Sequence, residues 1–415
     1  MIPPDWQPIQ LKDVVQKGRK ICYGIVQPGD FAPDGIPLIR GKDYSFGWVP
    51  LENFFRVSEA IDRPYKRSKV KPRDLILTIV GAGTGNVATV PEWLDGANIT
   101  QTTARIAVDL EKFDHRYVRA LLQSRFGQNA VYRAIKGGAQ PGLNIADVEK
   151  FTFFYPPKNI QSQIADAAEA WDRAIETAEA LIANARIQKQ ALMQQLLSGK
   201  HRLPGFSGEW QRKPINEIAT RVTRRNDGTE LPVLTISSTS GFVRQDEKYS
   251  RYMAGKSVET YIMLNEGEFA YNKGNSKTYE FGCIFDLEDY ARALVPHVYV
   301  CFKLKKGYSH RFYKALFEAD YLAPQLGRLV NTGVRNNGLL NIKPSEFLGT
   351  RVPVPSLDEQ DAIAAVMEAA SRTVIEHETQ LAALRQEKAA LMQQLLTGKP
   401  LVKLPESPKS ESEVA

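Results

Sequence analysis

This chain repeats itself, and the repeat limits what it can fold into more than any other feature. The segment 189–200, KQALMQQLLSGK, returns at 388–399 as KAALMQQLLTGK, an offset of 199 residues. The same offset carries Gln161 onto Gln360 and Ile164 onto Ile363. Upstream, Leu143-Asn144-Ile145 matches Leu340-Asn341-Ile342 at an offset of 197, and Asp114-His115-Arg116-Tyr117 matches Ser309-His310-Arg311-Phe312 at 195. Near the starts of the copies, DWQPIQLKDVV (5–15) resembles EWQRKPINEIA (209–219) at 204. The repeat therefore spans almost the whole chain, with spacers of varying length. Its tails match closely while its bodies have diverged. That pattern implies one shared structural part and one specialised part.

The shared part reads as helix. Ile164, Ala168, Trp171, Ile175, Ala178, Ile182, Ala185, Lys189, Leu192 and Leu196 follow alternating steps of four and three. The second copy gives Ile363, Met367, Ala370, Val374, His377, Leu381, Leu384, Lys388, Leu391 and Leu395 in the same register. This is the seam of a coiled coil, with His377 as a register residue on it. No Pro or Gly interrupts either stretch before Gly199 and Gly398, which stand where a C-terminal cap belongs. Pro156-Pro157 and Pro353 with Pro355 mark the helix starts. Two matching stripes in one chain are expected to pack on each other. An antiparallel pairing is favoured because a whole body lies between them, and it would relate the halves by an approximate twofold axis.

The bodies read as mixed. Strand-like runs include 74–80, Thr103–Val108, Tyr261–Leu264 and His297–Leu304, and helical stretches include 114–126 and 309–323. The expected fold class is α+β: tandem α+β bodies at 1–158 and 201–357, and long helices at 159–200 and 358–399. The tail 400–415 has the composition of a disordered segment.

A formal net charge of +7 looks uninformative until it is divided along these boundaries. Residues 1–160 hold 22 basic and 16 acidic side chains, and so do residues 201–357. The helices carry the opposite excess, 4 basic to 5 acidic in 161–200 and 4 to 7 in 358–399. Two basic modules on a stiff spacer suit a bipartite reader of duplex DNA. Phosphates would supply affinity to each module, and base edges selectivity.

Catalytic signatures are missing from this sequence. Gly81-Ala82-Gly83-Thr84-Gly85 lacks the spacing of a dinucleotide fingerprint, and no Lys-Ser/Thr follows it. A glycine-rich turn between strands is the favoured reading, though Gly83 would also let a DNA backbone approach closely. The five histidines have no metal-ligand spacing, and Cys22, Cys283 and Cys301 form no CxxC pair. No metal site and no enzyme activity is expected of this chain. The start MIPPDWQPIQLKDVV has no signal-peptide pattern, and no apolar run is long enough for a bilayer, so a cytoplasmic location is expected.

The order body, helix, body, helix resembles the specificity subunit of type I restriction–modification systems. The resemblance rests on Pro156-Pro157 leading into Gln161-Ser162-Gln163-Ile164-Ala165, and on Pro353-Val354-Pro355 leading into Glu359-Gln360. It also rests on the two LMQQLL segments and on Leu203-Pro204-Gly205-Phe206 before Trp210. The second copy ends in Pro400-Leu401 instead of repeating LPGF. The resemblance implies that each body is a target recognition domain for one half of a split DNA sequence. It implies an antiparallel coiled coil that fixes the gap between half-sites. It implies two methyltransferase subunits carrying S-adenosylmethionine, restriction subunits that use ATP, and no cofactor on this chain. A stand-alone bivalent DNA-binding regulator is the alternative.

The candidate DNA-binding residues are Arg63, Lys66, Arg67, Lys69, Lys71 and Arg73 in the first body, and Arg221, Arg224 and Arg225 in the second. The loops before each LNI add Gln140, Arg335, Asn336 and Asn337, whose side chains can pair with base edges. Gly83, and Lys273 and Lys277 in the equivalent loop, complete the set. Asn144 and Asn341 recur in both copies and are expected to stabilise turns.

Overall fold

The computed structural model describes residues 3–45, 47–136, 142–248, 259–274, 276–330 and 340–398. The tail 400–415 lies outside them. The chain divides into two compact units, one built from Met1–Glu179 with Thr379–Ala415 and the other from Ala180–Glu378. Each holds one body and a stretch of both long helices.

The same sheet is built in both units. In the first, antiparallel strands run in the order Cys22–Tyr23, Thr103–Ile106, Leu75–Thr78, Val87–Thr89. In the second the order is Ala219–Val222, Val300–Leu304, Phe269–Asn272, Cys283–Asp286, again antiparallel. Every residue of Leu75–Thr78 and Thr103–Ile106 is buried, as central strands covered on both faces require. Besides this sheet, the first unit has a three-stranded sheet, and the second has two separate two-stranded sheets. Ile36–Ile39 lies antiparallel to Phe55–Val57 and parallel to Asn98–Ile99. In the second unit Leu234–Ser237 pairs with Gly241–Arg244, and Ile262–Asn265 with Arg292–Val295. The helical stretch expected at 114–126 is cut in two. Ser124 accepts from the backbone N–H groups of Phe126 and Gly127 and so starts a second helix, Arg125–Ala134.

Each body feeds a long helix through a two-stranded ribbon, Gln7–Gln10 with Thr152–Tyr155 and Gln211–Pro214 with Arg351–Val354. The helices are Lys158–Leu196 and Leu357–Leu395, 39 residues each, about 58 Å at a rise of ~1.5 Å per residue. The 4–3 pattern places the seam correctly. Ile164, Ile182, Leu196, Ile363, Met367 and Leu395 are buried, and Trp171, Ile175, Leu192, Val374, Leu381 and Leu391 are half-buried. Ile187 and Ile375, apolar but off the seam, are 65% and 61% exposed. Within the first unit Asp172 pairs with Lys388, and Glu179 with Arg385 at 2.6 Å. Partner numbers fall as helix numbers rise, so the two segments run antiparallel. In the second unit Arg186 pairs with Glu378 at 2.5 Å, and Leu192 and Leu196 share a core with Ile363 and Met367.

The repeated residues turn out to be the joints between body and helix. Gln161 accepts from the Asp114 backbone N–H at 3.0 Å and donates to the Pro156 carbonyl at 2.9 Å. Gln360 does the same with Ser309 and Pro355, both at 2.8 Å. Ser162 donates to the Asp114 carboxylate in one unit, while Ser309 donates to the Asp361 carboxylate in the other. Acid and hydroxyl have exchanged sides and the hydrogen bond is kept. Burial by itself would raise the Asp114 carboxyl, but hydrogen bonds from Arg116 and Ser162 outweigh it and hold the group below the usual carboxylate range. Arg116 and Arg311 reach across to Glu169 and Glu368 of the adjacent helix. Gln161→Leu should destabilise the first unit by about 1–3 kcal/mol, since two buried backbone groups lose their partner. Gln360→Leu should do the same in the second. Urea denaturation of the two single variants and the double checks this, with roughly additive losses expected.

The matching tails have a distinct reason. Met392, Leu395 and Leu396, at the end of the second helix, enter the core of the first body. Leu196 and Leu197, at the end of the first helix, enter the core of the second. Both glycines adopt left-handed backbone, with φ 73 at Gly199 and 67 at Gly398. A Cβ on Gly199 would press on the Trp210 ring at 2.9 Å, and one on Gly398 would overlap Pro3 beside Trp6. Near-identical helix ends thus each meet a Trp-bearing start, Trp6 in one unit and Trp210 in the other.

Candidate nucleic-acid interface

The basic run of the first body is a short 3-10 helix, Arg63–Ser68, and the turn that follows it. Three buried polar residues hold it in place. Ser68 donates to the Asn98 side-chain oxygen at 2.7 Å, and Asn98 donates to Asp62 at 2.9 Å and to the Tyr65 carbonyl at 3.2 Å. With these partners satisfied inside, the cationic side chains face outward.

Lys66, Arg67, Lys69 and Lys71 line one side of a cleft of about 730 Å³. Lys66, Arg67 and Lys71 are exposed. Lys69 is not a free surface charge, because it pairs with buried Asp62 at 2.9 Å and donates to the Gly96 carbonyl. Arg63 and Arg73 stand outside the cleft. Arg63 lies 3.8 Å from Glu59, and Arg73 lies 4.0 Å from Glu92. Arg73 has a left-handed backbone, φ 68, at the turn position that Gly267 fills in the second unit. The other side of the cleft brings Arg19, Lys20, Cys22 and Arg105, which were not picked out from the sequence. Arg19 and Lys20 sit in an unremarked loop. Arg105 did leave a signal, as the one charged residue in the apolar run Thr103–Val108.

Asp74 anchors this region. It accepts from Arg19 at 2.5 Å and from the Lys71 backbone N–H at 2.8 Å. Glu268 takes the same place in the second unit, accepting from the Asn265 backbone N–H at 3.0 Å and from Arg224. Arg224 is therefore bound to a fully buried carboxylate and holds the fold. Arg221, on the edge strand, and Arg225, beside it, are exposed.

The Gly81–Gly85 segment is the turn between Leu75–Thr78 and Val87–Thr89, with φ 102 at both Gly81 and Gly85. At Gly83 a Cβ would lie 3.2 Å from the Asn86 side chain. Leu143 donates its N–H to Ile79 at 2.7 Å, bringing the chain just after Gln140 beside this turn. In the second unit Leu340 donates to the Lys273 carbonyl at 3.0 Å. Lys273, half-buried, and Lys277, exposed, occupy the matching hairpin loop between Phe269–Asn272 and Cys283–Asp286. Gln140, Arg335, Asn336 and Asn337 lie outside the described residues. Asn144 caps the short helix Ile145–Glu149 through its carbonyl, which accepts from Asp147 and Val148.

Among the described residues no cluster of three potential metal ligands occurs, and no helix is long and apolar enough to cross a membrane.

Residues 3–185 match the family described as type I restriction modification DNA specificity domain. The chain is 33% identical over 198 residues to the type I restriction enzyme EcoBI specificity subunit of Escherichia coli. It is 23% identical over 211 residues to the MjaVIII specificity subunit of Methanocaldococcus jannaschii. These matches cover 48% and 50% of the chain, and 41% and 48% of the two relatives, so less than half of either relative's length is matched. Solved structures are similar along nearly the full length. The HsdS subunit from Thermoanaerobacter tengcongensis aligns over 96% of this chain and 98% of its own, with TM-score 0.51 and 16% identity. The type I system S subunit from M. genitalium aligns over 95% and 96%, with TM-score 0.54 and 13% identity. At these identities the likeness establishes the fold: two α+β bodies and two long helices.

Proposed function

We propose, from the match of residues 3–185 to the type I restriction modification DNA specificity domain, that the whole chain is the DNA-recognition subunit of a type I restriction–modification complex. The observation that carries this reading is the repeated sheet. Two bodies of one topology, each with the same basic excess, read two half-sites of one duplex. The divergence of the bodies permits different half-sites, and the joints at Gln161 and Gln360 attach each body to its long helix in the same way. The chain performs no chemistry itself. Methyltransferase subunits, two per chain, dock on it with S-adenosylmethionine, and restriction subunits bring ATP hydrolysis. The length of the helices sets the gap between half-sites.

Sequencing DNA methylation in a strain lacking this gene tests the proposal. Adenine methylation should vanish at one bipartite motif and return on complementation. Persistence of every bipartite motif in a strain with no second specificity gene sinks it. Binding of the purified complex should also weaken steeply with salt, as phosphate contacts require.

A further inference from the structure

We infer that the cleft of the first unit takes a backbone phosphodiester of DNA, with Arg105 as its anchor. The inference rests on the DNA-recognition reading above and assigns one contact within it.

Arg105 is 2% exposed and lies in a central strand, opposite Cys22 on one side and Ile76 on the other. A guanidinium keeps its charge at any physiological pH. Here it has little to satisfy it. One terminal nitrogen donates to the Lys20 carbonyl at 3.0 Å and touches the Cys22 sulfur at 3.5 Å. The Nε has no partner, and no carboxylate pairs with Arg105 among the described residues. Burying an unpaired ion is costly. Its neighbours in the cleft show the usual remedy, since Arg19 has Asp74 and Lys69 has Asp62. Arg105, the one buried cation among the described residues lining the cleft, has no such acid, so the missing negative charge is one that folding does not supply.

The surroundings say what kind of anion fits. Lys20, Lys66, Arg67 and Lys71 line the cleft without ion pairs among the described residues, and Asp95 is the lone carboxylate lining it. A guanine edge presents two acceptors in the major groove, fewer than Arg105, Lys20, Lys66, Arg67 and Lys71 together can serve. A tetrahedral phosphate presents several oxygens to a planar guanidinium and nearby ammonium groups.

The second unit lacks this anchor. Counting two residues along from the buried acids Asp74 and Glu268 gives Ile76 and Ala270, whose cross-strand partners are Arg105 and Cys301. Cys301 is fully buried in an apolar cluster, and burial pushes its thiol up to about 12. The phosphate anchor therefore belongs to the first body.

The test uses the full chain in its methyltransferase complex, with target and non-target duplexes titrated across salt concentrations. Arg105→Met keeps the side-chain bulk and removes the charge. The slope of log Kd against log salt should fall by about 0.9, equally on both duplexes, with sequence preference unchanged. Between 50 and 200 mM salt that is about a 3.5-fold difference in how Kd changes. An unchanged slope overturns the inference, and so does a lost preference at one base position. If the variant fails to fold, Cys22 decides the matter in the wild type. It lines the cleft half-buried, while Cys283 and Cys301 are buried. Bound duplex should slow its reaction with an aromatic disulfide reagent at least tenfold. Unslowed reaction in a duplex-bound complex overturns the cleft assignment and leaves DNA recognition standing. A complex that binds no duplex overturns both.

Discussion

Arg224→Met should destabilise the second unit by about 3 kcal/mol, the lower end of what breaking a buried ion pair costs. Glu268 is fully buried, and among the described residues its Oε1 already lacks a partner and its Oε2 would retain only the Asn265 N–H. Removing the guanidinium strands a carboxylate with nowhere to be solvated. The lower end applies because the Arg224 side chain keeps 42% of its surface exposed. For a unit of this size the melting temperature should drop by about 6–12 °C. Adding Glu268→Gln should recover most of the loss, since the amide oxygen still accepts from Asn265 and no charge remains. Thermal denaturation of the single and double variants decides the point. A single variant with wild-type stability and weakened DNA binding would return Arg224 to the interface, where sequence reasoning had put it.

Exchanging residues 1–158 for the first body of a relative with a different target should replace one half-site of the motif and leave the other intact. Each mismatched base pair costs about 1–3 kcal/mol, so an original half-site differing at three positions should lose roughly 10²- to 10⁶-fold in affinity. The structure sets a condition on the donor. Its start must supply the partners that Pro3 and Trp6 provide for Gly398, and its core must accept Met392, Leu395 and Leu396. Methylation sequencing of cells carrying the exchanged chain gives the readout. An unchanged motif from a folded, active complex would remove the first body from target reading.

Much of the candidate interface was visible beforehand, and what was hidden has a common cause. The cationic run 63–73 stood out because its residues are neighbours in sequence. The structure sorted them, with Lys69 given to Asp62 and Arg63 and Arg73 left outside the cleft. Arg19 could not be chosen, because the acid that orients it lies 55 residues away. Arg224 looked like any surface arginine until Glu268, 44 residues on, proved to be its partner.

The sequence by itself determined the parts whose physics is local. Helical spacing, Pro at the starts, Gly at the ends and the duplication all act over a few residues or a fixed offset, so the seam from Ile164 to Leu196 and its copy could be read directly. Only the tertiary structure decided which charges are exposed and which are held inside, because that depends on partners brought from distant strands. It alone showed that the end of the second helix completes the core of the first body, and that of the first helix the second. It alone separated Arg105 from Cys301, two residues in matching places of matching sheets, one buried with its charge unanswered and the other packed in an apolar core.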